Sequence, residues 1–372
     1  MKFIHLSDLH IGKRVHEFSM IEDQRYIFRQ ILQMITAENA DGVIIAGDVY
    51  DRTIPSAEAV RLFDDFLTEL AGLKVQVLVI SGNHDSAERI AFGADLLNLC
   101  GVHMSPVFDG SIKSVRLNDE FGAVNVYLLP FLKPVQVRRY FEDEEIETYN
   151  DAVKTVIDSL TLNKDERNVL VAHQFVTGAV TAGSEELAVG GLDNIDAEVF
   201  RDFDYVALGH IHSAQQVVRE TVRYGGTPLK YSFSEASHIK TVTLVELKEK
   251  GDVALKALPL KPMRDLQEIR GTFAEVMAGA PSRDYLHITL TDEEEIPDAM
   301  SKLRAVYPNL MKLDYDNTRT RAMSSVDSAE AVEQKSELTL FEELYQLQNG
   351  QAMSEEQRQF MIEIIDSLKE VE

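Results

Sequence analysis

The sequence predicts an α/β fold, with helices packed on the faces of sheet strands, and three observations predict it. Short apolar runs recur at Phe3–Leu6, Val43–Ala46, Val77–Ile80, Val169–Ala172 and Tyr205–Leu208, the signature of strands. Between the early runs, Ile27, Ile31, Leu32 and Ile35 repeat at threes and fours, as do Val60, Phe63, Leu67 and Leu70. That is the helical period, and strands alternating with helices build sheets covered by helices. Around 111–132 the pattern changes: Val115, Leu117, Val124, Val126 and Leu128 alternate about the turn Asn118–Gly122, which reads as a β-hairpin.

The later elements follow in order. Residues 222–249 alternate again and close a strand at Val242, Leu244 and Leu247. Pro259–Pro262 marks a boundary, so residues 1–260 are expected to form the main domain. A smaller α/β unit fills 261–316, with strands Tyr285–Leu290 and Leu310–Asp314 about a helix Ile296–Val306. Residues 317–336 are polar and aperiodic, as a linker would be. From 337 to 372 helical patterning returns. Leu340, Phe341, Leu344, Tyr345 and Leu347 form one apolar stripe, and Phe360, Ile364, Ile365 and Leu368 another. Ser354 and Gln357 have capping-box spacing before the last helix.

Composition excludes several classes. Lys and Arg number 37 against 62 Asp and Glu, a formal charge of −25 across 372 residues. Such a chain is not a general binder of phosphate backbones; nucleic acid would need local positive charge or a partner. One cysteine excludes an intramolecular disulfide framework and multi-cysteine zinc modules, and fits a reducing cytoplasm. Asp8 interrupts what would be a signal-peptide core, and no apolar stretch is long enough to span a membrane.

The chemistry lies at the ends of the five apolar runs. They close on Asp8 and His10 (SDLH), Asp48 (GDVYD), Asn83, His84 and Asp85 (GNHD), His173, and His210 and His212 (GHIH). Ligands of open α/β sheets sit at the carboxyl ends of strands, so the runs would deliver these side chains to one edge. Glycines before Asp48, Asn83 and His210 allow tight turns and close backbone approach. Carboxylate, amide oxygen and imidazole together suit Mn²⁺, Fe²⁺ or Zn²⁺ better than Mg²⁺ or Ca²⁺. Seven ligands exceed one four-coordinate ion and suit two, with one carboxylate bridging. Such a pair, about 3.5–4 Å apart, attracts phosphate and supports in-line displacement by water. Each motif alone is a common turn or a satisfied histidine; the ordered set of five points to phosphate-ester hydrolysis.

These motifs resemble those of the calcineurin-like metallophosphoesterases. SDLHIGKRVHEFSMIEDQ, AHQFVTGA, AVGGLD and GGTPLKYSFSEASHIKTVTLVEL are similar to the nuclease subunits of SbcCD-type exonucleases, and LFEELYQLQNGQAMSEEQ to their C-terminal helices. The resemblance implies a four-layer αββα β-sandwich flanked by helices, a small α/β capping domain and C-terminal helices. It implies two divalent ions, normally Mn²⁺: one on Asp8, His10, Asp48 and His212, the other on Asp48, Asn83, His173 and His210, with Asp48 bridging. It places His84 beside the scissile phosphate, with Asp51 or Asp85 as its partner; archaeal relatives carry a histidine where this chain has Asp51. It implies 3′→5′ exonuclease action on duplex DNA, endonuclease action on single strands and hairpins, and a role in repair, recombination and replication. An SbcC-type ATPase with a coiled coil would be the partner, docked on the tail helices, and DNA the substrate. A homodimer within a heterotetramer, no membrane, and a cytoplasmic, nucleoid-associated location complete the expectation.

Several segments stay open at this level. The helices around Ile54–Leu70 and Ala87–Leu99 are a homodimer surface or simply core. Arg264, Arg270, Lys302, Arg304 and Lys312 are phosphate contacts or a solvated charge pattern. The tail helices dock a partner or fold back on the chain. His16, His103 and His287 are read as structural or surface residues, and His238 is given no role. Cys100, among apolar residues, is expected to be a buried, inert thiol. A phosphodiesterase or phosphatase for small substrates remains the alternative function, and a scaffold that has lost catalysis is a third.

Overall fold

The computed structural model describes residues 1–181, 185, 194–318, 320 and 321. In the C-terminal stretch it describes 338, 341, 342, 345, 353, 354 and 357–361. AVGGLD (188–193), most of the linker, and Leu340, Leu344, Leu347, Ile364, Ile365 and Leu368 lie outside the described residues.

In chain order the first half carries β1 (Lys2–Leu6), the two-residue pair β2 (Arg14–Val15) and β3 (Phe18–Ser19), α1 (Ile21–Glu38), β4 (Gly42–Ala46), α2 (Ala57–Gly72) and β5 (Gln76–Ile80). Short helices α3 (Ala87–Ile90) and α4 (Ala94–Asn98) lead to β6 (Val102–Met104), the hairpin β7 (Lys113–Asp119) and β8 (Gly122–Leu128), α5 (Pro134–Val137), α6 (Tyr149–Asp158) and β9 (Arg167–His173). Then follow β10 (Tyr205–Gly209), β11 (Gln215–Val217), β12 (Arg219–Tyr224), β13 (Thr241–Leu247) and β14 (Val253–Pro259).

These strands form two six-stranded sheets, ordered β14-β13-β1-β4-β5-β6 and β11-β12-β10-β9-β8-β7. Alternation along each strand explains the layers. On β4, Val43 and Ile45 join the core beneath α1 and α2. Ile44 and Ala46 face the second sheet, with Phe3, Leu78, Ile80, Val169, Val171 and Ala207. On β9, Leu170 and Ala172 turn to a third core that includes Val153 and Val156 of α6. The order is helix, sheet, sheet, helix. Local capping sets helix starts: Ser56 Oγ accepts from Ala59 N at 3.2 Å to open α2, and Thr148 with Asp151 forms a capping box on α6.

After β14 come β15 (Leu266–Gly271), α7 (Phe273–Met277), β16 (Tyr285–Leu290), α8 (Ala299–Arg304) and β17 (Leu310–Tyr315), with the three strands ordered β15-β16-β17. By contacts the chain divides into two compact units. The first is Met1–Ile269 with Ala280–Ile288 and Met300–Leu313. The second is Arg270–Gly279 with Thr289–Ala299 and the described residues from Asp314 onward. In the second, Asp316 pairs with Arg270 and Arg321, and Ser354 and Gln357 make reciprocal hydrogen bonds of 2.9 and 3.3 Å.

Two expectations need correction. The helix expected over Ile296–Val306 is shorter, Ala299–Arg304, because Pro297 and the left-handed Asp298 (φ 55°) precede it. Cys100 is exposed rather than buried. It follows the single-turn helix α4, whose Leu96 and Leu99 are 74% and 83% exposed; apolar sequence there marks a surface patch, joined by Phe92 at 85%.

Candidate metal centre

Parallel pairing carries the C-terminal ends of β1, β4 and β5 to one edge, and those of β9 and β10 likewise. The loops after β1 and β4 continue that pairing: His10 N donates to Asp48 O at 2.9 Å and Ile11 N to Val49 O at 2.9 Å. The two sheets press together here. A Cβ on Gly209 would lie 1.9 Å from Ala46 O, and one on Gly82 2.1 Å from Asp48 Oδ1, so both positions require glycine for space. Asp8, His10, Asp48 and His210 hold φ of 51°, 44°, 48° and 102°. Left-handed backbone at non-glycine residues is strained and clusters where geometry is imposed by function.

The structure brings all seven expected ligands together. Asp48 is central. Its Oδ1 accepts from His84 N at 2.9 Å. Its Oδ2 lies 3.3 Å from His173 Nε2, 3.7 Å from His10 Nε2 and 4.0 Å from His84 Nε2. Asn83 Oδ1 sits 3.0 Å from His173 Nε2 and 2.9 Å from His210 Nδ1. On the other side His10 Nε2 and His212 Nε2 are 3.2 Å apart. Asp8 accepts from His210 N at 3.0 Å and groups with His10 and His212.

This donor set fits a divalent cation. His173 Nδ1 lies 2.8 Å from the Ala46 carbonyl, which only accepts, so Nδ1 carries the proton. Its Nε2 lone pair then faces two more acceptors, Asn83 Oδ1 and Asp48 Oδ2. Without a cation the contact closes only if His173 takes a second proton. Burial opposes that, yet Asp48 and Asp8 outweigh it and push the ring up to about 9. Burial also raises Asp8, with His173 and His212 offsetting it in part. Burial would raise Asp48 too, but His173, His10 and His84 hold its carboxyl far below the carboxylate range. Burial keeps His10 well below its ordinary value, and burial with His173 takes His210 to about 3. His10 and His210 are thus held neutral and Asp48 ionised, the forms a metal requires, while a cation at the site would take the place of the second proton that Asp48 and Asp8 draw onto His173.

His84 stands at the mouth, 19% exposed at its side chain. Its Nδ1 lies 3.2 Å from the Asp51 backbone carbonyl, which fixes that proton and turns Nε2 toward Asp48. The Asp51 carboxylate points elsewhere, 2.8 Å from Lys13 Nζ and 3.8 Å from His10 Nδ1. Asp85 accepts from the backbone of Val49, Tyr50 and Gly82 at 2.9–3.0 Å, tying the Asp48 and His84 loops together. Burial and then Asp48 push its carboxyl up to about 6.

Sequence reasoning missed the supports behind these ligands. Gln24 on α1 is buried and donates to His10 O at 2.8 Å and Tyr231 OH at 2.8 Å, while Tyr231 OH donates to Leu9 O at 2.7 Å. A signal existed: Gln24 lies on the apolar stripe of Ile21, Ile27, Phe28 and Ile31, where a polar residue needs a partner. Glu235 and Lys240, a buried ion pair behind His212, carry no periodic signal. Of the five cations considered for phosphate contact, Arg264 pairs with Asp23 and lies over the Tyr285 ring. Arg304 donates to Leu310 O at 3.2–3.3 Å.

Two carboxylates, an amide and four histidines at the carboxyl edge of two packed sheets, with a further histidine at the mouth, define the centre of a metal-dependent phosphoesterase. Comparison with known proteins agrees. The calcineurin-like phosphoesterase family profile matches residues 1–214, and the SbcD_C profile, described as a type 5 capsule protein repressor C-terminal domain, matches residues 262–349. The SbcD subunit of the SbcCD nuclease from Staphylococcus epidermidis is 31% identical over 368 residues, 96% of either chain. Among solved structures, a dimetal phosphatase from Danio rerio is 13% identical, covering 69% of this chain and 95% of its own, with a TM-score of 0.43. TT1561 of Thermus thermophilus is 11% identical, covering 69% and 98%, with a TM-score of 0.38. The chain belongs to the calcineurin-like phosphoesterases and, within them, to the SbcD nuclease-subunit family. It is a metal-dependent phosphodiester hydrolase. Among the described residues no helix is long and apolar enough to cross a membrane.

Proposed function

We propose that the chain is the nuclease subunit of an SbcCD-type complex. It would use two Mn²⁺ ions to cut DNA as a 3′→5′ exonuclease on duplex ends and as an endonuclease on single strands and hairpins. The observation that carries this is His173 Nε2 facing Asn83 Oδ1 and Asp48 Oδ2, with His84 Nε2 turned inward 4.0 Å from the same Asp48 oxygen. Asp8, His10, Asp48 and His212 would hold one ion, and Asp48, Asn83, His173 and His210 the other. When bound, the pair supplies Lewis-acid charge for the phosphate and a lowered pKa for water. His84 Nε2 holds or delivers the leaving-oxygen proton, while Nδ1 stays on the Asp51 carbonyl. Asp51 and Asp85 act by fixing the loops that carry His10, Asp48 and His84.

The domain plan is 1–260 for the nuclease, 261–316 for the cap, 317–336 for the linker and 337–372 for docking the ATPase. The family match beginning at 262 supports the boundary near 260, and the S. epidermidis relative's name supports an SbcC-type partner. A tail of net charge −6 from Gln334 to Glu372 suits a protein surface rather than DNA. Phe92, Leu96 and Leu99 would lie in a homodimer interface. Action in the cytoplasm at the nucleoid, in repair, recombination and replication, follows from the same reading.

The test is cleavage of an end-labelled DNA hairpin with Mn²⁺, Mg²⁺ or chelator, beside a small phosphodiester. Mn²⁺-dependent cutting that disappears in Asp48→Ala supports the nuclease. Turnover of the small ester alone, unchanged when the ATPase is added, assigns a small-substrate phosphodiesterase instead.

A further inference from the structure

Glu235 ends a single 3-10 turn, Phe233–Glu235, and its side chain is fully buried. Lys240 Nζ donates to Glu235 Oε2, to Thr227 Oγ1 at 2.7 Å and to His212 O at 2.9 Å, which uses all three ammonium protons. Thr227 N donates to the same His212 carbonyl at 3.1 Å. His212 is therefore gripped at its backbone by two donors. Its ring faces the carboxylate, with Nδ1 3.9 Å from Glu235 Oε1. The opposite ring nitrogen, Nε2, points into the cluster, 3.2 Å from His10 Nε2.

Stability is a weak reason for such a pair. Replacing a buried ion pair by apolar groups of the same shape is often neutral or stabilising. Orientation is the stronger reason. A carboxylate behind a histidine keeps the proton on the near nitrogen, leaves the far lone pair for a cation and raises its basicity. His173 has only the Ala46 carbonyl in the equivalent place. The two halves of the cluster are thus supported differently.

We infer that Glu235, fixed by Lys240, is a positioning residue for His212 and sets the affinity of one of the two metal sites selectively; this rests on the cluster being a dinuclear metal centre. The full-length chain and Glu235→Gln are titrated with Mn²⁺, read by calorimetry and electron paramagnetic resonance. The wild type should take two ions and show the coupled-pair spectrum. Glu235→Gln should keep one site unchanged and bind the other about 10–100-fold more weakly. Its spectrum should then be that of an isolated ion at Mn²⁺ levels that fill both wild-type sites. Two wild-type affinities in a folded Glu235→Gln overturn the inference. So does equal weakening of both sites, or a lowered melting temperature with both affinities intact, since these mark a structural role. Where Lys240 left unpaired prevents folding, Glu235→Gln combined with Lys240→Met removes the pair as a unit, and the same two-site criterion applies. A wild type that takes no Mn²⁺ refutes the metal centre itself, a different failure from a variant with two normal sites.

Discussion

Strand β9 carries a buried ionisable side chain at each end, and the two ends differ in kind. Arg167, 2% exposed, opens the strand. It pairs with both oxygens of Asp119 and donates to Gly122 O, Leu247 O and Lys248 O at 2.7–3.2 Å. The N-terminal ammonium adds a 2.7 Å bond to the same carboxylate. Every guanidinium nitrogen there meets an acceptor within the chain, Nε included, 3.4 Å from Ala123 O. His173 closes the strand, also fully buried. There the lone pair meets further acceptors on Asn83 and Asp48. Depth of burial does not separate structural charge from functional charge in this molecule. The balance of donors against acceptors does. The Arg167 end is complete within the chain, whereas the His173 end closes only with a second proton on the ring or a cation in its place.

Perturbing the two ends should therefore have unlike consequences. Asp48→Ala removes the oxygen around which three histidines gather. Hydrolysis should fall by at least about 10³-fold, several kcal/mol of lost charge stabilisation, with one Mn²⁺ or none retained on titration. Retained turnover in that variant would place the reaction elsewhere. His84→Gln keeps the expected ligands and removes the proton carrier. Turnover should drop about 10²–10⁴-fold while both ions still bind. A lost ion would make His84 a ligand. Chelation should act on stability through the His173 end alone. With Mn²⁺ at about 100 times its Kd, each site contributes about 2.7 kcal/mol, visible as a raised melting temperature that chelator reverses.

Much of this contrast was legible in the sequence, for physical reasons that can be named. Strands such as Val43–Ala46 and Val169–Ala172 are buried on both faces, so they stand out as unbroken apolar runs, and the polar residues ending them announce the edge. Ser354 and Gln357 are spaced as a capping box, and the reciprocal bonds are present. Other features left no local trace. Apolarity does not encode which strand pairs with which, so the split into two six-stranded sheets is invisible in the runs. The Ala94–Asn98 helix is too short to display a face, which hid the exposure of Leu96, Leu99 and Cys100. Glu235 and Lys240 lie on a turn and a strand edge, where no period marks an inward side chain. Arg167 and Asp119 were equally silent, because a satisfied ion pair has no spacing rule when its partners are 48 residues apart.

That silent pair provides the mildest way to sharpen the comparison. Burial works against ionisation of Asp119, but Arg167 and the N-terminal ammonium outweigh it and hold the carboxyl well below its ordinary range. A carboxylate whose folded pKa is depressed adds stability above its unfolded pKa of about 3.9 and loses it as pH falls through the folded value. Asp119→Asn should therefore unfold more readily at pH 7, by about 2 kcal/mol. That is less than a fully buried broken pair, because Arg167 keeps its carbonyl partners. In denaturant melts of the metal-free chain the gap between wild type and variant should narrow as pH falls below about 4, where the unfolded chain's Asp119 takes up a proton while the folded carboxyl stays ionised, and should close once the folded carboxyl is protonated too. Mn²⁺ affinity and hydrolysis should stay at wild-type levels, since nothing in this pair touches the cluster. A gap that does not change with pH would mean the charge on Asp119 contributes nothing. A variant with weakened Mn²⁺ binding would mean that β9 transmits strain between its ends, and the two ends would then have to be treated as one unit.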